Sequence, residues 1–88
     1  MKVNSQFKII DVLDETLAVP IGEKAESFNA IVSLTEEAAF VLKNINGKRS
    51  EDDLLLLILD EYDVDQVTAK RDIEKILQRF RDVGLIEE

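Results

Sequence analysis

An α+β fold, with a three-stranded antiparallel sheet followed by three helices, is what this 88-residue sequence predicts. Three observations carry that prediction. Short apolar runs at period two occupy the N-terminal third, and apolar residues at helical spacing occupy the rest. Between them, Ser27 to Gly47 (SFNAIVSLTEEAAFVLKNING) holds an extended run, a helix start and a helix stop.

Phe7 to Leu13 and Glu15 to Ile21 read as the first two strands, with Leu13-Asp14-Glu15 as the turn region. Pro20 cannot donate to a ladder, so the second strand either ends there or presents that position on an unpaired side. Gly22 to Glu26 (GEKAE) is polar and reads as a loop. The third strand runs from Ser27 to Leu34: Phe28, Ala30, Val32 and Leu34 share one face, and Asn29, Ile31 and Ser33 share the other. Thr35 then offers an oxygen to a free backbone N–H of the first helix, and Glu36 and Glu37 put negative charge at the positive end of its dipole. Asn46-Gly47 is the expected stop, since Gly accepts the left-handed conformation.

Ser50 with Asp53 resembles a capping box, Asp replacing the usual Glu, and opens the second helix. Its apolar side is Leu54, Leu55, Ile58, Leu59 and Tyr62. Leu56 and Leu57 fall outside that stripe, and either pack under a neighbouring segment or make a homodimer or partner contact. Asp65 caps the third helix, with Val64 and Ala69 placed as a hydrophobic staple. Its stripe is Ala69, Ile73, Ile76, Leu77, Phe80 and Val83; Gly84 ends it, and Leu85-Ile86 is apolar enough to return to the body. With no linker or repeat, residues 1–88 read as a single domain with a small core.

Composition narrows the function. Nineteen acidic against eleven basic residues give a net charge of −8, spread over every segment. That repels a polyanion, so no nucleic acid partner is expected. Neither His nor Cys is present, which removes the usual general bases, nucleophiles and transition-metal ligands. No catalysis, metal or cofactor is expected. No apolar run reaches the roughly 20 residues of a membrane span, and MKVNSQFK lacks a signal-peptide core. The expectation is a soluble, unprocessed, cytoplasmic protein.

Candidate sites thin out on inspection. Asp63, Asp65 and Glu74 match three positions of a calcium loop, but Val67 and Thr68 stand where a ligand and the turn glycine are needed. Glu51-Asp52-Asp53 is a helix N-terminus that prefers negative charge. One feature stands out: Arg71, Lys75 and Arg79 recur every four residues, stacking like charges on one ridge of the third helix. The ridge is either an ordinary solvated face, offset by Asp72, Glu74 and Asp82, or a cationic rail beside an apolar groove. Ile76 and Val83 tilt the apolar stripe toward Asp72 and Arg79.

Several stretches together resemble the PqqD-like family, the peptide-binding modules also called RiPP recognition elements. They are Leu34-Thr35, Ala39, Val41-Leu42, Ile45-Asn46-Gly47-Lys48-Arg49-Ser50, Tyr62, Val64, Asp72-Ile73 and the closing FRDVGLI of Phe80 to Ile86. The resemblance runs from about Phe7 to Ile86; Thr35 stands where the family often has Asn, and both cap a helix.

The resemblance implies a winged helix-turn-helix-like fold and a non-catalytic peptide chaperone. Such a protein captures the leader of a ribosomally made precursor peptide and presents it to a modifying enzyme, often a radical-SAM protein. The leader would add as a strand along the third strand, at Phe28, Asn29, Ala30, Ile31, Val32 and Ser33. Its side chains would enter a groove walled by Asp72, Lys75, Ile76 and Arg79, with Ile31 the apolar candidate on the non-core face. A winged-helix DNA-binding regulator shares the architecture and is the alternative, opposed by the acidity.

Overall fold

The computed structural model of the chain describes residues 1–27 and 31–88. Phe28, Asn29 and Ala30, part of the anticipated third strand, lie outside the described residues. The elements are β1 (Lys2–Val3), β2 (Phe7–Val12), β3 (Glu15–Pro20), α1 (Glu23–Ser27), β4 (Val32–Leu34), α2 (Glu36–Lys43), α3 (Glu51–Glu61), α4 (Gln66–Asp82) and β5 (Ile86–Glu87).

The expected meander forms. β2 and β3 pair antiparallel from Val12 opposite Glu15 to Phe7 opposite Pro20. β4 then pairs with β3, Ala18 opposite Val32 and Thr16 opposite Leu34. Leu13 and Asp14 close the hairpin, and Leu13 takes a positive φ of 55°. β3 ends at Pro20, so the missing amide interrupts nothing.

Local capping explains the helices. The Ala38 N–H donates to Thr35 Oγ1 at 3.1 Å. Ser50 and Asp53 complete a reciprocal box: the Ser50 N–H donates to Asp53 Oδ2 at 2.8 Å, and the Asp53 N–H donates to Ser50 Oγ at 3.2 Å. The Thr68 N–H donates to Asp65 Oδ1 at 2.8 Å. Each bond satisfies a donor the helix leaves unpaired.

Four expectations are corrected. The GEKAE loop is instead the short helix α1, which extends through Ser27, so Ser27 is not a strand residue. None of its residues is buried, so it carries no amphipathic pattern to read; Glu, Lys and Ala favour helix on their own propensity. Among the described residues β4 is Val32–Leu34, and Ile31 before it is not in the strand. The first long helix stops at Lys43, not at Asn46-Gly47, because the Asn44 side chain donates to the Phe40 carbonyl at 2.8 Å and Ile45 turns into the core. The Asn46 side chain instead accepts from the Lys48 and Arg49 N–H groups, and Gly47 at φ 84° serves that turn. Finally, three strands then three helices is incomplete, because β1 and β5 pair as a second, two-stranded sheet. Two-residue strands are too short to show a period.

One core joins the layers. Phe7, Ala18, Val32 and Leu34 meet Ala38, Val41 and Leu42 of α2, Leu54 and Ile58 of α3, and Ala69, Ile73, Leu77 and Phe80 of α4. Leu57 packs half-buried against this core, whereas Leu56 is 66% exposed. The Asn4 side chain donates to the Gly84 carbonyl at 2.9 Å, and the Asn4 N–H donates to the Leu85 carbonyl at 2.8 Å. These bonds hold the C-terminal end of α4 at the open end of the β2–β3 hairpin. At the opposite end of the sheet, β4 leads straight into α2.

Candidate functional site

The described sheet runs in the order β2-β3-β4, so β4 pairs on one side only among the described residues. Its backbone alternates: Val32 and Leu34 are buried, and Ser33 faces outward and donates to Glu15 Oε1 at 2.8 Å. Ile31, just before the strand, leaves 60% of its surface in solvent. The unpaired edge offers N–H and C=O groups to an incoming chain.

Helix α4 supplies the other candidate residues. Asp72, Ile76 and Arg79 follow one another at four and three residues, so they line one flank of the helix; Lys75 falls about 60° further round. Asp72 and Ile76 are half-buried, and Lys75 and Arg79 are exposed. Glu37 of α2 meets Asp72: burial, then the charge and close approach of Asp72, hold the Glu37 carboxyl above the usual carboxylate range. That contact turns the Asp72 flank toward the start of α2, where β4 ends. On the opposite flank Arg81 Nε donates to Glu88 Oε1 at 2.7 Å. Among the described residues, Lys75 and Arg79 make no ion pair.

The structure therefore divides the expected site in two. Ile31 and Ser33 lie on the outer face of the sheet, and Asp72, Ile76 and Arg79 lie on the face where the helices pack.

Sequence reading missed a second concavity. On the other side of α2, an open cleft of about 580 Å³ is lined by Thr16, Leu34, Phe40, Tyr62 and the carboxylates Asp14, Glu36 and Glu61. Phe40 and Tyr62 meet edge to face there, centroids 5.6 Å apart at 88°. Partial burial, then Glu36, Glu37 and Glu61, push the Tyr62 phenol above its ordinary range. The cation of the cleft, Lys43, is tied to Asp11 at 3.1 Å, and Asp11 is held below the usual carboxylate range by Thr16 and Lys43. Tyr62 is the sole tyrosine of the chain, which was the only signal available.

Fold and edge together define a small α+β protein whose sheet, among the described residues, ends at β4. The sequence model for Coenzyme PQQ synthesis protein D (PqqD) matches residues 9–86, and the chain belongs to that family. Solved structures share the fold. One, TbiB1 in complex with the TbiA(beta) leader peptide, has a TM-score of 0.81 at 18% identity and covers 99% of this chain and 95% of its own. Another, lasso peptide synthetase B1 complexed with the leader peptide, has a TM-score of 0.80 at 16% identity and covers 99% and 96%. No curated protein matches the sequence. No helix among the described residues is long and apolar enough to cross a membrane.

Proposed function

We propose that residues 1–88 form one non-catalytic, cytoplasmic peptide-binding domain. It takes the leader of a ribosomally synthesised precursor peptide as an added strand on β4 and presents it to a modifying enzyme, of which a radical-SAM protein is one kind. The observation that carries this reading is the β4 edge, unpaired among the described residues. Membership of the PqqD family supports it, as do two structural neighbours that are leader-peptide complexes. The other outer edge of that sheet, β2, is a poorer acceptor because it bears the charged Lys8 and the Lys43-bound Asp11.

The energetics require both parts of the site. Ordering a disordered peptide costs about 2 to 5 kcal/mol, and micromolar affinity needs a net of about −8 kcal/mol. Backbone bonds contribute about 0.5 to 1.5 kcal/mol each, so buried apolar anchors at about 1.5 to 3 kcal/mol apiece must add to them. Ile31 and Ile76, on the two sides of the added strand, are the apolar surfaces offered. The net charge of −8 opposes the DNA-binding alternative.

The test is titration of labelled leader segments, taken from precursor genes neighbouring the gene of this protein, into the wild-type chain and Ile31→Asp. Saturable binding that Ile31→Asp abolishes, with an unchanged circular dichroism spectrum, is expected. Equal affinity for both chains removes Ile31 from the site, and no binding to either removes the reading.

A further inference from the structure

The flank of α4 that turns toward α2 is electrically polar along its length, and the chain's topology fixes which end is which. Two contacts settle the direction. Before β4, α1 places Lys24 Nζ against Gly84, 2.9 Å from where a β-carbon on that residue would stand, at the C-terminal end of α4. After β4, α2 places Glu37 beside Asp72, in the N-terminal half of α4. Strand β4 therefore runs antiparallel to α4. The Asn4 bonds to Gly84 and Leu85 give the same polarity independently, since Asn4 precedes Phe7 and Phe7 pairs with Pro20 at the end of the sheet where β4 begins.

The flank of α4 that turns toward α2 then reads, from its N-terminal end, carboxylates (Glu37 with Asp72), an aliphatic surface (Ile76) and a cation (Arg79, with Lys75 nearby). Along the helix axis, Ile76 lies about 6 Å and Arg79 about 10 Å beyond Asp72. In a strand, residues on the same face recur about every 6.8 Å. Three successive inward-facing residues of a guest strand thus match the three stations. Every pairing in the sheet is antiparallel, and antiparallel addition is the more stable ladder. A guest antiparallel to β4 runs parallel to α4 and enters at the carboxylate end.

We infer that this domain, acting as the leader-binding module proposed above, selects a basic–x–aliphatic–x–acidic order in its guest, read from the N-terminus. The inference rests on that reading and adds the register, direction and charge order. The carboxylates of Glu37 and Asp72 stand two residues' reach from the aliphatic station, so a reversed guest sets like charges against each other at both ends.

The experiment selects random-sequence displayed peptides on immobilised wild-type chain, on Ile31→Asp, and on the charge-swapped double variant Asp72→Lys, Arg79→Glu. Wild type is expected to enrich the forward order over acidic–x–aliphatic–x–basic on the order of tenfold. The double variant is expected to prefer the reverse order, and Arg79→Glu alone to lose the acidic station while keeping the basic one. Enrichment without charge order, a reverse order on wild type, or an unchanged order on the double variant overturns this inference and leaves strand addition standing. No enrichment over Ile31→Asp overturns strand addition itself. Circular dichroism of each variant establishes that it is folded; Arg79 is exposed, and Asp72→Lys sets a cation beside Glu37.

Discussion

Lys24 and Gly84, sixty residues apart in the chain, meet where α1 crosses the end of α4: the lysine Nζ occupies the space just 2.9 Å from where a Gly84 side chain would begin. Gly84 also holds a φ of 75°. Gly84→Ala is therefore expected to destabilise the fold by about 1 to 2 kcal/mol, most of it from the left-handed backbone. Lys24 Nζ, which also lies 5.8 Å from the Phe7 ring centroid, is the far end of a flexible side chain and need give only a few tenths of an ångström, so Lys24→Ala combined with Gly84→Ala should recover little. Urea denaturation of the single and double variants measures both quantities, and a large recovery would assign the cost to the contact.

Leu13 presents the opposite case. It adopts φ 55° at the hairpin turn with 98% of its surface exposed, so its side chain gains nothing to offset the conformation. Leu13→Gly is expected to stabilise the isolated chain by up to about 1 kcal/mol, read as a higher urea midpoint. A lower midpoint would mean that the leucine is held by contacts in solution.

Ser50→Ala removes one half of the capping box at α3 and leaves the Asp53 N–H without its acceptor. A loss of about 1 kcal/mol follows. Helix α3 should also show faster amide exchange in its first turn, while α4 stays protected.

The Glu37–Asp72 pair makes a pH prediction. The folded-state value of Glu37 lies above its ordinary one, so its ionised form is disfavoured by folding, and that penalty is full at neutral pH and disappears as pH falls through the raised value toward the unfolded one. Asp72→Asn removes the neighbouring charge. The Glu37 carboxyl should then titrate at lower pH by NMR, and the variant should be more stable than wild type at pH 7, with the difference shrinking toward about pH 4. A difference that grew on acidification would contradict the pairing.

Arg79→Glu is expected to weaken binding of an acidic leader severalfold and to flatten its salt dependence, because Arg79 is exposed and its attraction is screened. Fluorescence titrations at low and high salt test this. If neither affinity nor slope changed, the ridge of Arg71, Lys75 and Arg79 would be a solvated surface only.

The parts legible in the sequence are those whose causes lie within a few residues. Thr35, Ser50 and Asp65 each bond to a backbone N–H three positions on, and each begins a helix as read. The period-two and period-four stripes named the residues that became the core, from Val32 and Leu34 to Ile73, Leu77 and Phe80. Where local signals compete, reading fell short. Asn44 stops α2 before Asn46-Gly47 can, and the polar EKAES folds as a helix without burying a side chain.

Alternation, capping and charge therefore decide by themselves that this is an acidic α+β chain, because each acts over one turn or one strand. Which strand ends the described sheet, which flank of α4 turns toward α2, and where the carboxylates gather are decided only when distant segments meet. Asn4 reaches Gly84 across 80 positions, β1 joins β5, and Glu37 finds Asp72. No periodicity encodes such contacts; they follow from how one shared core forces the sheet and helices to close on each other.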